Sequence, residues 1–146
     1  VFFDISQKSL DQSKENFKNA NVDNRASFIR GDVHCMPFAD DSFDFIMSRG
    51  SIWFWAFPDK ALREVYRILK PGGVAIVGGG LGRYLPPSMH KRLSQALKQG
   101  MENRGESRPT MLSFTAMVEA SAIPDYRIMT DGASGTGRWI EIHKQN

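Results

Sequence analysis

The stretch "ALREVYRILKPGGVAIVGGG", Ala61–Gly80, constrains the fold more than any other part of the chain. Leu62, Val65, Tyr66 and Leu69 recur at helical spacing on one face, and Lys60, Arg63, Glu64, Arg67 and Lys70 occupy the other. Pro71-Gly72-Gly73 is expected to stop this helix, because proline disfavours α geometry in the residue before it and glycine permits the reversal. Val74–Val77 then reads as a buried strand. A helix leading through a tight turn into a Val/Ile strand is half of a βαβ unit, so a largely parallel sheet is expected.

The rest of the chain alternates in the same way. Val1–Ile5 reads as a buried strand, Ser6 as the N-cap of a helix reaching about Ala20, Ser27–Arg30 as a second strand and Phe43–Ser48 as a third. The first helix has a thin apolar stripe of Leu10, Phe17 and Ala20. Beyond Val77, "GGGLGRYLPPS" reads as a flexible turn, followed by a helix over about Ser88–Gln99 with Met89, Leu93, Ala96 and Leu97 on one face. The polar run "GMENRGESRP" reads as a loop and Thr110–Ala122 as a helix. Strands Tyr126–Thr130 and Arg138–His143, joined by "DGASGTG", end the chain as an antiparallel hairpin. The architecture expected is α/β, a mostly parallel Rossmann-like sheet with a C-terminal hairpin.

At 146 residues the chain has the length of one domain, enough to bury roughly two-thirds of its unfolded surface. No apolar run approaches the about 18 residues needed to span a bilayer, so neither a membrane segment nor a signal peptide is expected. The formal charge of +3 is spread thinly, the longest basic run being Lys91-Arg92, and no nucleic-acid partner is expected. Cys35 is the single cysteine, which excludes an internal disulfide and fits a cytoplasmic location. His34-Cys35 carries no CxxC or HxxxH spacing, and His90 and His143 are isolated, so no metal site is expected.

In open α/β sheets ligands bind beyond the carboxyl ends of the strands, which directs attention to the residues after each apolar run. These are Asp4 after the first, Gly31-Asp32-Val33 after the second and Ser48-Arg49-Gly50 after the third. A carboxylate at Asp4 could accept hydrogen bonds from two vicinal ribose hydroxyls. Asp32 could accept from the exocyclic amine of adenine while the Val33 N–H donates to the ring nitrogen. Each acid alone has a plainer reading as a turn-former or helix cap, and it is their joint placement that narrows the choice. His34 reads either as an incidental loop histidine or as a general base.

"FFDIS", "GDVHCMPFADDSFDFIMSRG" and "ALREVYRILKPGGVAIVGGG" together resemble the class I S-adenosylmethionine-dependent methyltransferases, in particular the small-molecule branch of ubiquinone-biosynthesis type. The resemblance runs in register from Val1 to about Gly80. It implies S-adenosyl-L-methionine as cofactor, a small-molecule methyl acceptor, Asp4 on the ribose and Ile5 against adenine. It further implies Gly31, Asp32 and Val33 as the adenine-binding loop, and Ser48, Arg49 and Gly50 beside the methionine end. It places the aromatic run "SIWFWAF" at the mouth of the acceptor pocket, with Trp53 the foremost lining candidate and Tyr84 a second. Some of these aromatics read equally well as core under the following helix.

The family's strand order is 3-2-1-4-5-7-6, with a glycine-rich loop after the first strand holding the cofactor's amino-acid end. This sequence shows neither that strand nor that loop, so residues 1–146 read as an N-terminally incomplete methyltransferase domain. Unpaired strand edges are costly when buried, so upstream residues or a second copy of the chain are expected to fill them. Two rival readings remain at this level. One is a nicotinamide-dependent oxidoreductase, against which the Asp32-Val33 pair weighs. The other is a non-catalytic, degenerate domain that binds a partner chain. The glycines of "VGGGLGRYL" lack the third member and the following helix of a dinucleotide fingerprint.

Overall fold

Two short apolar runs near the start of the chain pair with each other. In the computed structural model, which describes residues 1–82, 84–103, 105, 109–131 and 137–146, β1 (Phe2–Asp4) and β2 (Phe28–Arg30) form a parallel pair with Phe2 opposite Phe28 and Asp4 opposite Arg30. Between them runs α1 (Gln7–Asn19), whose N-cap Ser6 accepts from the Ser9 N–H through Oγ at 3.2 Å. That bond satisfies one of the amide groups every helix start leaves without an internal partner. Phe2, Phe17 and Phe28 meet with ring centroids 4.7–5.8 Å apart, and Leu10 is buried. The thin stripe of α1 is thus completed by rings from both strands. These elements make up one compact unit, Val1–Phe38.

The second unit, Ala39–Asn146, holds a four-stranded sheet in the order β3-β4-β6-β5. Its strands are β3 (Phe43–Arg49), β4 (Leu69–Gly79), β5 (Tyr126–Thr130) and β6 (Arg138–His143). β3 and β4 are parallel, and β6 is antiparallel to both β4 and β5. The orders β2-β1 and β3-β4-β6-β5 are the runs 3-2 and 4-5-7-6 that flank strand 1 in the expected family order. The core is one face of this larger sheet, where Ala75, Val77, Ile140 and Ile142 are fully buried. With them are buried Ala61, Leu62, Val65 and Ile68 of α2 (Pro58–Ile68), and Phe114 and Val118 of α4 (Met111–Ala120). Among the described residues no helix is long and apolar enough to cross a membrane.

Four expectations are corrected. Val1–Ile5 is not a buried strand: β1 covers only Phe2–Asp4, and Val1, Phe2 and Ile5 are exposed. The helix before Pro-Gly-Gly ends at Ile68, and Leu69 is already extended and opposite Phe43. Its last carbonyls are taken from outside the helix. Asp41 N–H donates to Arg67 O (3.1 Å), Ser42 N–H to Ile68 O (2.8 Å), and Lys144 Nζ to Tyr66 O and Arg67 O. Pro71-Gly72-Gly73 is therefore an irregularity inside β4, with Gly72 at φ +76° donating its N–H to Lys144 O. Gly78 and Gly79 belong to β4 and not to a flexible turn, because a Cβ at Gly78 would strike the Arg138 backbone of β6. The helix expected over Ser88–Gln99 spans α3 (Pro87–Asn103), so Gly100–Asn103 of the polar run are helical, and its Met89, Leu93 and Leu97 remain exposed. Residues 132–136 of the hairpin connection, 104 and 106–108 of the polar run, and 83 lie outside the described residues.

Candidate functional site

Parallel pairing decides where the first two strand ends finish. Asp4 lies opposite Arg30, and Gly31 N–H donates to Asp4 O at 3.1 Å, so the residues after Asp4 and after Arg30 emerge from the same sheet edge. Asp4, Ile5, Gly31, Asp32 and Val33 are brought together there. Asp4 Oδ1 accepts from Ser6 N–H (2.8 Å), so this carboxylate also orders the start of α1. Ile5 is 65% exposed, an apolar side chain left open at the strand tip, while its carbonyl accepts from Arg30 Nε at 3.1 Å. Gly31 packs tightly: a Cβ there would stand 2.6 Å from the Phe3 ring, which sits against Phe38.

Asp32 forms a turn with His34. Its Oδ1 accepts from the His34 backbone N–H at 2.9 Å and meets His34 Nδ1 at 2.5 Å. The backbone bond first, and then the ring, hold the Asp32 carboxyl below its ordinary value. The Asp32 side chain is 46% exposed, so its carboxylate remains within reach of a ligand. Of the neighbours in the loop, Met36 is buried and Cys35 is exposed.

The remaining candidates lie in the second unit. Ser48 and Arg49 end β3 and Gly50 follows at φ +87°, a left-handed conformation that favours glycine. Gly50 N–H donates to Gly78 O at 2.6 Å, extending the β3–β4 pairing. Ser48 and Ser51 hydrogen-bond through their hydroxyls, and Arg49 donates to Gly80 O at 3.3 Å. Trp53 follows in a short 3-10 turn and is half-buried against Phe114, ring centroids 5.5 Å apart, so this aromatic is in part core. Gly79 admits its indole, whose Nε1 lies 2.9 Å from where a Cβ would be. Phe54 and Phe57 are exposed, the latter under Lys60 Nζ at 4.8 Å. Tyr84 is 92% exposed.

Sequence reading passed over Asp131. Its carboxylate accepts from Trp139 Nε1 (2.7 Å) and Gly82 N–H (3.2 Å), tying the end of β5 to β6 and to the turn after β4. A lone acid at the head of a glycine-rich run gives no periodic signal, so nothing in the sequence marked it. An open groove of about 420 Å³ lies elsewhere in this unit, lined by Asp125, Tyr126, Arg127, Glu141, His143 and Gln145. Within it Glu141 takes both His143 (2.7 Å) and Arg127 (3.1 Å), and no sequence-predicted site residue lines it. Among the described residues no group of three or more metal-ligating side chains forms.

The ends of β1 and β2 thus bring together two carboxylates, the Val33 backbone amide and an open apolar side chain, groups of the kind that could hold an adenosine. Residues 1–77 match the methyltransferase-domain family. Over 73 residues, 48% of this chain, the sequence is 41% identical to 2-methyl-6-phytyl-1,4-hydroquinone methyltransferase 1, chloroplastic, of Oryza sativa subsp. japonica. Over 77 residues, 53% of the chain, it is 34% identical to the ubiquinone/menaquinone biosynthesis C-methyltransferase UbiE of Escherichia coli O1:K1 / APEC. A solved structure from Methanococcus maripaludis, assigned as an S-adenosyl-L-methionine-dependent methyltransferase, superposes on 99% of this chain with a TM-score of 0.79 and 33% identity.

The chain belongs to the methyltransferase-domain family of class I S-adenosylmethionine-dependent methyltransferases, with the Rossmann-like fold of that class. The matched stretches cover 22% of the rice protein and 31% of the Escherichia coli protein, and the superposition covers 66% of the Methanococcus chain.

Proposed function

We propose that this chain supplies the adenosine-binding part of an enzyme that transfers a methyl group from S-adenosyl-L-methionine to a small-molecule acceptor. The observation that carries the reading is the common edge of β1 and β2, where Asp4 and Asp32 emerge beside the exposed Ile5. Asp4 would hold the ribose hydroxyls, and Asp32 with the Val33 N–H would hold the adenine edge. Gly31 admits the tight turn between strand and loop. Ser48, Arg49 and Gly50 are assigned to the methionine end, and both units to one methyltransferase domain.

The bound cofactor supplies a methyl on a positively charged sulfur, which makes that carbon electrophilic and the departing thioether a good leaving group. The protein therefore needs to align the reactants and exclude water, and no side chain need act as obligatory acid or base. Trp53, Phe54 and Phe57 support an apolar or planar acceptor, and the named hydroquinone and quinone-pathway relatives point the same way. Tyr84 is assigned to the acceptor side. The lone Cys35 fits a reducing compartment such as the cytoplasm, whereas the rice relative is chloroplastic.

A second reading, a module that binds a second copy or another chain, is favoured by β3. This strand ends its sheet with Phe45 58% and Met47 61% exposed. Titrating S-adenosylmethionine into the intact protein while following tryptophan fluorescence tests the choice. Saturable binding that weakens in Asp4→Ala and Asp32→Ala supports the enzyme. Binding of a nicotinamide dinucleotide in its place, or of neither, overturns it.

A further inference from the structure

A carboxylate that reads an adenine amine must present one particular oxygen. The terminal torsion of aspartate is broad and roughly two-fold, so a free side chain would spread its oxygens over many orientations. Asp32 is not free. Both of its bonds fall on Oδ1, from the His34 backbone N–H at 2.9 Å and from the His34 ring at 2.5 Å, and neither uses Oδ2.

The ring bond also fixes the imidazole tautomer. The Asp32 carboxyl is held below its ordinary value, so at neutral pH it is ionised and can only accept. Nδ1 must then carry the proton. The His34 side chain is 19% exposed against 46% for Asp32, which places the ring as the inner support and the carboxylate as the reachable group. Any residue but proline at position 34 keeps the backbone bond. Only a side chain with a donor near Nδ1 supplies the second.

We propose that His34 is a positioning residue for base recognition, donating Nδ1–H to Asp32 Oδ1 so that Oδ2 is held ready to accept from the 6-amino group of adenine. This rests on the assignment of Asp32 to the adenine edge made above. His34 touches neither the reacting methyl nor the acceptor in this role. Its effect is on which base the site prefers.

The test compares two ligands by calorimetry on the intact protein: S-adenosylhomocysteine and its analogue with hydrogen in place of the 6-amino group. The analogue keeps the ring nitrogen that Val33 would contact and loses only the donor to Asp32. Wild type is expected to prefer the amino compound by about tenfold or more, the size of a hydrogen bond to a charged group. His34→Ala, which keeps the backbone bond and loses the ring bond, is expected to reduce that ratio severalfold with the analogue's affinity nearly unchanged, and His34→Asn, whose amide can donate from a similar place, to restore it. An undiminished ratio in His34→Ala overturns the inference, as does a loss that weakens both ligands equally, the mark of a merely structural role. If wild type binds S-adenosylhomocysteine without preferring it, the assignment of Asp32 fails and takes the inference with it. If wild type binds neither ligand, the proposed function itself fails. Should His34→Ala not fold, nitrogen-15 spectra of the wild-type imidazole decide: a proton on Nδ1 is expected, and a bare Nδ1 overturns the proposal.

Discussion

Residues 1–38 and residues 39–146 are built differently. The first unit stands on two three-residue strands, with Leu10 and Met36 buried and the rings of Phe2 and Phe28 packed on Phe17 of α1. The second stacks two helices on a four-stranded sheet and buries Phe114, Leu62, Leu69, Ile140 and Ile142 completely. Apolar burial contributes stability roughly in proportion to the area removed from water, so most of it belongs to the second unit. The carboxylates proposed to hold adenosine stand on the lighter one. A ligand bridging Asp4 and Asp32 would therefore stabilise the first unit more than the second, since binding to the folded form adds to whatever stability it has.

Core truncation separates the two most strongly. Phe114→Ala is expected to cost about 4 kcal/mol, removing both a fully buried ring and the partner of Trp53, whereas Leu10→Ala is expected to cost about 2–3 kcal/mol. Denaturant unfolding measures both, and equal losses would erase the distinction. Glycines sharpen it next. At Gly78 a Cβ meets the β6 backbone, which cannot give way, and alanine there should cost about 2–3 kcal/mol. At Gly31 it meets only the far end of the Phe3 ring, and alanine should cost about 1 kcal/mol.

Helix caps should show no difference. Ser6 of α1 accepts from Ser9 N–H and Thr110 of α4 from Ser113 N–H, so Ser6→Ala and Thr110→Ala should each cost about 1 kcal/mol. A marked inequality would mean that the units differ in local as well as tertiary energetics.

Acid gives the smallest effect. In the second unit Lys70 holds Asp44, Arg63 holds Asp59, and His143 with Arg127 holds Glu141, each below its ordinary value. Because the folded carboxyls titrate lower than the unfolded ones, the unfolded chain takes up protons first. The stabilisation is complete above the ordinary carboxylate range and is lost as pH falls through the folded values, below about 4. Unfolding midpoints should be flat from about pH 7 to 5 and drop beneath that range, and Glu141→Gln should flatten part of the drop.

Legibility in the sequence followed how local each cause was. Ser6 announced α1 because a cap acts within three residues, and the hairpin strands Tyr126–Thr130 and Arg138–His143 matched to the residue because periodicity and flanking glycines bound them. The stop of α2 was misplaced because its carbonyls are claimed by Asp41, Ser42 and Lys144, partners remote in sequence. Gly78 and Gly79 read as turn because their pairing with Trp139 and Arg138 leaves no local trace. The apolar face of α3 was legible as a pattern, yet a pattern alone does not say what covers it. At the site, the acids were legible from their places after apolar runs. The bond from His34 to Asp32 was not, since a histidine two residues on has many uses.

The most direct test of the account is amide chemical-shift mapping of the intact protein with S-adenosylhomocysteine. Saturable shifts are predicted at Ile5, Ser6, Val33 and His34, around the two carboxylates at the β1–β2 edge. Saturable binding that leaves those amides unmoved would contradict it.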